Sequence, residues 1–231
     1  MSAKIVFISD IHLSTTQPLL TEMFTKYIQE QAPKLEELYI LGDLFDSWIG
    51  FDNNSEYNSN IFTMLKTLAK TTKVFFMPGN RDFLLTQEIV EANNCTYLPD
   101  PSILNISGQK IYLTHGDLLC SNDKNYQVLR KVIQHQLTKK IFMQLPLKIR
   151  QVIANKTRKV STKSNKNKKQ IYFQIDNDKA KEIIKEHNIN FIIHGHIHQS
   201  CTTVYPNNSK RVSLQDWRRD GYKIVTIADL L

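Results

Sequence analysis

The sequence predicts an α/β fold, and three features of its 231 residues indicate this. Short apolar runs alternate with amphipathic helical stretches over the first eighty residues. Asp, Asn or His residues follow each of these runs within three positions. One long basic segment then interrupts the alternation, so we expect a mixed α/β core that carries an insertion.

Three apolar runs predict buried strands at residues 4–9, 37–41 and 73–77. The stretches between them, 19–31 and 61–70, have apolar residues at helical spacing. Strands that alternate with helices are typical of parallel packing, so these five elements predict a parallel sheet.

The pattern changes after residue 100. Residues 102–117 predict two strands around a Ser107-Gly108 turn, and 177–187 predict a helix that leads into a strand from 190. The tail predicts antiparallel strands around residues 206–208. We therefore expect a core of residues 1–123 and 176–231. It is interrupted by a basic insertion at 124–175, helical over 124–158 and a polar loop over 161–170.

Composition favours a cytoplasmic globular protein. The chain is 41% hydrophobic and 23% charged, and its three cysteines, Cys95, Cys120 and Cys201, have no spacing typical of disulfide or zinc sites. The N-terminal apolar run is too short for a signal peptide, and no stretch reaches eighteen apolar residues. Any attachment to a membrane is therefore expected to be peripheral.

The net charge of +8 is concentrated in the insertion. Residues 124–175 contain fourteen Lys and Arg and no acidic residue, whereas the rest of the chain is net acidic. A charge run of this kind is often only a solvated face. However, the length of this segment without an acidic residue favours an anionic partner.

Polar residues follow five predicted strands. These five blocks are Asp10-Ile11-His12, Gly42-Asp43, Gly79-Asn80-Arg81-Asp82, His115-Gly116-Asp117 and Gly195-His196-Ile197-His198. Ligands of open α/β sheets bind beyond the carboxyl ends of the strands. His194, His196 and His198 would also share one side if the last strand ran straight on.

In this order the blocks resemble the calcineurin-like metallophosphoesterases. The resemblance spans residues 4–198 and implies a double β-sandwich flanked by helices. It also implies a two-metal site. Asp10, His12 and His198 would bind one ion, Asn80, His115 and His196 the other, and Asp43 would bridge them. His194 has no role in this family, and we expect it to be buried. Such mixed ligands suit Mn²⁺, Fe or Zn²⁺.

Arg81 indicates the leaving group. Most relatives have histidine here, and histidine can protonate an alkoxide. Arginine remains charged and binds phosphate instead. A phosphate monoester leaving group needs no proton, because its second pKa is about 6. Arg81 therefore predicts pyrophosphate cleavage, unless it merely pairs with Asp82.

The sequences around the blocks, at residues 38–50, 79–85, 115–123 and 193–200, resemble those of the UDP-2,3-diacylglucosamine pyrophosphohydrolase family of lipid A biosynthesis. The resemblance implies release of UMP and a lipid 1-phosphate, two Mn²⁺ per chain, and an insertion that forms a lid over acyl chains. Asp43, Asn80 and Arg81 would be catalytic. The implied substrate contacts are Asn80, Arg81, Asp123, Ser161, Asn165, Lys168 and His196. Two residues depart from that family, Asn53 where a second Asp is usual and Gln215 where Gly is expected.

Two other functions compete with this hypothesis. A nuclease or nucleotide phosphodiesterase of the same superfamily would use the basic segment for nucleic acid, but that segment has few aromatic residues for stacking. A binding module that has lost its metals is disfavoured because every ligand position is intact. We therefore expect a lipid-linked UDP-sugar as substrate and an anionic membrane as partner. We expect neither nucleic acid nor a protein partner, and a location on the cytoplasmic face of the inner membrane.

Overall fold

The architecture is a sandwich of two five-stranded sheets. It was obtained as a computed structural model that describes residues 4–53, 55–122, 124–156 and 175–231. The inner faces of the two sheets share one apolar cluster, in which Phe7 and Leu41 of the first sheet meet Leu113 and Ile193 of the second. The predicted double β-sandwich is confirmed.

The first sheet contains the three strands predicted near the N-terminus. Strands β1 (Ile5–Ile8), β2 (Glu37–Leu41) and β3 (Lys73–Met77) are parallel neighbours. The short strand β4 (Thr96–Tyr97) extends one edge in parallel, and β10 (Val225–Thr226) joins the other edge antiparallel to β1. The C-terminal tail therefore returns to the first sheet.

The second sheet is mixed, with the order β5-β6-β7-β9-β8. Strands β6 (Gln109–Thr114), β7 (Phe191–His194) and β9 (Lys210–Ser213) are parallel. Two hairpins complete it, with β5 (Ser102–Ile106) beside β6 and β8 (Cys201–Val204) beside β9. The predicted turn and the predicted antiparallel ending are both confirmed.

Helices cover the outer face of each sheet. Helices α1 (Pro18–Glu30) and α2 (Ser55–Leu68) pack on the first sheet, where Phe24 and Leu65 are fully buried. A short helix α3 (Gln87–Glu91) follows β3. Helix α7 (Asn177–His187) covers the second sheet through Ala180, Ile183 and Ile184. Helix α2 begins six residues before the predicted start, because residues 55–60 are polar and lack the apolar spacing that predicts a helix.

Residues 124–156 of the insertion form three helices. Helices α4 (Lys124–Gln134) and α5 (Gln136–Gln144) precede helical residues 147–156, here α6. Arg150 docks α6 on the core by donating to the Ile49 carbonyl oxygen and pairing with Asp52. The predicted loop at 161–170 lies outside the described residues. Within the described ranges no helix is long and apolar enough to cross a membrane.

The apolar layer between the sheets predicts where stability resides. Phe7 is fully buried in β1, and its ring stacks on that of Tyr39 with centroids 5.0 Å apart. We expect Phe7→Ala to lower the free energy of unfolding by about 3–5 kcal/mol, because it removes buried area and leaves a cavity. Val204→Ala should change it by less than about 0.5 kcal/mol, because that side chain is exposed. Urea denaturation of the metal-free proteins would measure both, and equal effects would contradict this account of the core.

Candidate metal centre

The carboxyl ends of strands from both sheets meet at one edge of the sandwich. The loop after β1 is bound to the loop after β2, because the Asp10 N–H donates to the Gly42 carbonyl oxygen at 3.1 Å and the His12 N–H to that of Asp43 at 3.0 Å. In the second sheet the Gly195 N–H donates to the His115 carbonyl oxygen at 2.8 Å. The predicted convergence of the polar blocks is therefore confirmed.

Five predicted ligands have a left-handed backbone, which is uncommon for residues other than glycine. The φ angles are 54° for Asp10, 55° for His12, 55° for Asp43, 70° for His196 and 55° for His198. Strained backbone of this kind clusters at functional sites, where the surrounding structure maintains it. The strand therefore turns sharply after His194 rather than running straight on, and the three histidines do not line one side.

Glycines let the loops approach one another closely. Gly42 has a φ of 89°, and a Cβ there would collide with the backbone of Gly79. A Cβ at Gly79 would collide with Asp43, and one at Gly195 with Asp10. Larger residues at these positions would push the polar side chains apart.

One group of side chains contains Asp10, His12 and His198. Their ligand atoms lie within 4.8 Å of one another. His198 Nε2 is 3.2 Å from Asp10 Oδ1 and 3.2 Å from His12 Nε2. These three residues could hold one metal ion.

A second group surrounds the side chain of Asn80. Its Oδ1 lies 2.7 Å from His115 Nε2 and 3.1 Å from His196 Nδ1. The other ring nitrogen of His115 donates to the Leu41 carbonyl oxygen at 3.0 Å, which leaves Nε2 as the ligand atom. This pattern is typical of a histidine that binds a metal.

Asp43 lies between the two groups. Its Oδ2 is 4.0 Å from His12 Nδ1, and its Oδ1 is 3.7 Å from His115 Nε2. Asp10, Asp43 and His115 also have ligand atoms within 4.8 Å of one another. The position of Asp43 suits a carboxylate shared by two ions.

Two of the imidazoles are neutral at neutral pH. Burial, aided by the positive charge of Arg81, lowers the pKa of His12 to about 3. Burial and the neighbouring His115 lower the pKa of His196 to about 4. A neutral imidazole keeps the lone pair that a metal needs, so no proton competes at these two residues.

Asp43 and His115 instead hold protons strongly. Burial, with the negative charges of Asp82 and Asp10, raises the pKa of Asp43 to about 7. Burial alone would lower the pKa of His115, but Asp43 and Asp10 raise it to about 10. A cation bound between these groups would replace the protons that they otherwise retain.

The residues fit a pair of divalent ions. His12 Nδ1 is buried without a hydrogen-bond partner among the described residues, and Asp10 Oδ1 is buried against the imidazoles of His198 and His12, at 3.2 and 3.9 Å. Buried polar atoms are costly unless something binds them. The donors are carboxylate, imidazole and amide groups, a mixture that suits Mn²⁺, Fe or Zn²⁺.

Arg81 lies beside the cluster and is one-third exposed. Its Nη1 pairs with Asp46 Oδ1 at 2.6 Å, and its Nε lies 3.6 Å from Asp43 Oδ2. The alternative prediction, that Arg81 pairs with Asp82, is wrong, because its partners among the described residues are Asp46 and Asp43. Asp46 directs the guanidinium so that a positive charge borders the metal cluster.

Asp82, which the sequence suggested only as an alternative partner of Arg81, is fully buried. Its carboxylate accepts hydrogen bonds from four backbone N–H groups, those of Gly79, Asp43, Leu44 and Phe45, at 2.7–3.3 Å. Asp82 therefore joins the loops after β2 and β3. In the sequence, the place of Asp82 at the end of the Gly79–Asp82 block was the one feature that could have indicated a role at the site.

His194 is buried, as expected. Its Nε2 accepts a hydrogen bond from Arg211 Nη1 at 3.0 Å, and its Nδ1 lies 2.8 Å from the Gly195 carbonyl oxygen. Four predicted substrate contacts lie outside the described residues, namely Asp123, Ser161, Asn165 and Lys168. Those four remain predictions.

The site and the fold define a class of protein. The chain belongs to the calcineurin-like phosphoesterase family, whose sequence model matches residues 3–200. A solved structure described as a dimetal phosphatase from Danio rerio is similar in fold, with a TM-score of 0.54 and 11% identity, over 97% of this chain and 91% of that one.

Within that family, the chain is similar to proteins named UDP-2,3-diacylglucosamine hydrolase. The protein of that name from Coxiella burnetii is 36% identical over 219 residues, which cover 94% of this chain and 90% of the relative. The one from Histophilus somni is 38% identical over 215 residues, covering 93% and 92%. Similarity therefore extends along nearly the whole chain.

The raised pKa values predict how metal affinity depends on pH. The proton on Asp43 competes with a cation below its pKa of about 7, so affinity for Mn²⁺ should rise as pH increases from about 6 to about 8. The pKa of about 10 for His115 acts in the same direction at higher pH. The charged and titratable groups around Asp43 are Asp10, His12, Arg81, Asp82 and His115.

Calorimetric titration of the metal-free protein, in two buffers of different ionisation enthalpy, would measure affinity and released protons. Asp43→Asn should bind more weakly and lose the step near neutral pH. Affinity that does not change over this range, or that changes only below about pH 5, would contradict the prediction.

Proposed function

We propose that this protein hydrolyses the pyrophosphate bond of UDP-2,3-diacylglucosamine to UMP and 2,3-diacylglucosamine 1-phosphate. The chain is a hydrolase by family, and relatives that are similar over nearly its whole length carry the name UDP-2,3-diacylglucosamine hydrolase. The product would be an intermediate of lipid A biosynthesis.

The observation that carries this proposal is the fixed positive charge of Arg81 at the border of the ligand cluster. A diphosphate substrate bears negative charge on both sides of the bond to be broken. A guanidinium can bind those oxygens through two parallel hydrogen bonds. It supplies no proton, and a phosphate leaving group needs none.

Two metal ions complete the proposed site. One ion would be held by Asp10, His12 and His198, and the other by Asn80, His115 and His196. Asp43 would bind both ions. Two divalent ions, proposed to be Mn²⁺, would lower the pKa of water from about 16 toward about 7 and neutralise charge on the phosphates. Asn80 and His196 would also orient the substrate, since both line the second group.

The rest of the substrate is proposed to bind at the insertion. Asp123, Ser161, Asn165 and Lys168 would contact the sugar and its phosphate. Eight large apolar side chains of α4, α5 and α6 are more than one-third exposed: Val128, Leu129, Val132, Leu137, Ile141, Ile149, Val152 and Ile153. Exposed apolar groups on this scale are typical of a surface that meets lipid, so the insertion is proposed to act as a lid over the acyl chains.

The same helices carry positive charge toward solvent. Lys131, Lys140, Lys148 and Lys156 are exposed, and residues 124–156 contain no acidic residue. Basic and apolar groups on one element suit the surface of an anionic membrane. We therefore propose peripheral binding to the cytoplasmic face of the inner membrane.

A charge-removal variant tests the proposed substrate. Arg81→Ala should lower kcat/KM on UDP-2,3-diacylglucosamine by about 10-fold to 150-fold, because a charge-assisted contact contributes about 1.5–3 kcal/mol. Lys70→Ala is the matched control. It removes one exposed positive charge just before β3, at the end of the strands opposite to the metal centre. Release of UMP with saturating Mn²⁺ would measure both, after metal content is found equal.

The same assay should include DNA and a simple alkyl phosphodiester. We expect the lipid-linked diphosphate to be hydrolysed far faster than either. Faster cleavage of DNA would contradict the proposal and favour a nuclease.

Vesicle binding tests the proposed membrane contact. Substituting Gln for Lys131, Lys140, Lys148 and Lys156 should weaken binding to anionic vesicles and reduce its dependence on salt, since each exposed lysine contributes up to about 1 kcal/mol. Lys139 is left intact because its ammonium group lies 5.9 Å over the Phe83 ring. Gln at Lys26, Lys34, Lys66 and Lys70 is the matched control, with equal charge removed from exposed positions elsewhere. Equal losses in both variants in a flotation assay would count against a specific membrane face.

A further inference from the structure

The C-terminal segment contributes an acidic side chain to the metal centre. Residues 214–224 connect β9 to β10 and lie beyond the part of the chain that matches the family model, which ends at residue 200. Within this segment, Asp216 Oδ2 lies 3.4 Å from His198 Nδ1. No predicted site residue comes from this segment.

The two ring nitrogens of His198 face different partners. Nε2 points to the ligand cluster, 3.2 Å from Asp10 Oδ1 and 3.2 Å from His12 Nε2. Nδ1 points the other way, to Asp216. Histidines that bind metals usually donate the second ring N–H to a carboxylate or carbonyl, which fixes the tautomer and the ring orientation.

Arg218 holds the carboxylate of Asp216 in this orientation. Its Nε donates to Asp216 Oδ1 at 2.9 Å, and its Nη2 donates to the His198 carbonyl oxygen at 3.2 Å. One carboxylate oxygen is thus used by Arg218, and the other faces the imidazole. Arg218 therefore links the backbone of His198 to the acid that faces its ring.

Trp217 anchors the segment to the core. Its side chain is 2% exposed, and its ring stacks on Tyr222 at 4.0 Å and meets Phe24 and Tyr27 of α1 edge-on. Its backbone N–H donates to the Asp10 carbonyl oxygen at 3.1 Å. The acid is therefore held by a rigid support that also contacts a second predicted ligand.

We propose that Asp216 is a positioning residue for His198. It keeps the proton of the imidazole on Nδ1 and thereby keeps Nε2 available to the ion that Asp10, His12 and His198 bind. The inference rests on the proposed two-metal site. It predicts that Asp216 controls the affinity for one ion of the pair and leaves the other ion unaffected.

The test is a Mn²⁺ titration followed by electron paramagnetic resonance, with free Mn²⁺ and the coupled two-ion signal as readouts. The proteins are the wild type, Asp216→Asn and Asp220→Asn. Asp220 is exposed in the same segment and serves as the matched control. We expect Asp216→Asn to bind one Mn²⁺ normally and the second about 10–100-fold more weakly. The two-ion signal and kcat should then return at high Mn²⁺, and Asp220→Asn should behave as the wild type.

The outcomes separate this inference from the proposed function. Wild-type protein that binds fewer than two ions would overturn both. Wild-type protein that binds two ions, with an Asp216→Asn variant of equal affinity at both sites, would overturn only the role of Asp216. Equal weakening at both sites, together with a lower Tm of the metal-free variant, would indicate a structural role and would also overturn it.

Discussion

The carboxylate of Asp82 is the contact on which the metal centre most depends. It accepts from four backbone N–H groups of two loops, at the point where those loops approach too closely for any side chain at Gly42 or Gly79. This contact sets the position of Asp43, whose Oδ1 in turn accepts the Arg81 N–H at 2.8 Å. The carboxylate proposed to bridge the two ions and the arginine proposed to bind phosphate are thus both held in place through one buried acid. Rigid backbone supports of this kind keep catalytic groups in place without side-chain flexibility.

Electrostatics make the site suitable for cations rather than for a proton-transfer chain. Asp10, Asp43 and Asp82 are buried close together, and such a concentration of negative charge is costly without positive charge nearby. In the metal-free protein, protonation of His115 offsets part of this charge, while burial keeps His12 and His196 neutral. Divalent ions would compensate the acids and use the free lone pairs together, so metal binding and the stability of this edge of the sandwich are coupled.

The insertion is connected to the same centre by a second buried network. Arg130 of α4 pairs with Asp117 at 2.7 Å and with Asp100 at 2.6 Å, and the Tyr126 hydroxyl donates to Asp117 at 2.8 Å. Asp117 follows the predicted ligand His115 by two residues. The first helix of the insertion is therefore fixed to the loop that carries the predicted ligand His115, whereas its apolar side chains Val128, Leu129 and Val132 are exposed.

The sequence by itself determined the elements and the ligand types. Apolar runs predicted β2 and β3 at their observed bounds, because a buried strand needs a continuous apolar stretch. The Asp, Asn and His residues that follow these runs predicted the ligand types. Only the tertiary structure decided which side chains meet. Asp82 lies in a recognisable sequence block, but its partners Asp43, Leu44 and Phe45 are distant along the chain, and nothing in the sequence around Asp216 indicates that it faces His198. The antiparallel pairing of β10 with β1 could not be predicted either, because a strand of two residues is too short to show an alternation of apolar and polar residues. His194 turned away from the site because the left-handed backbone after it ends the alternation that a straight strand would have kept.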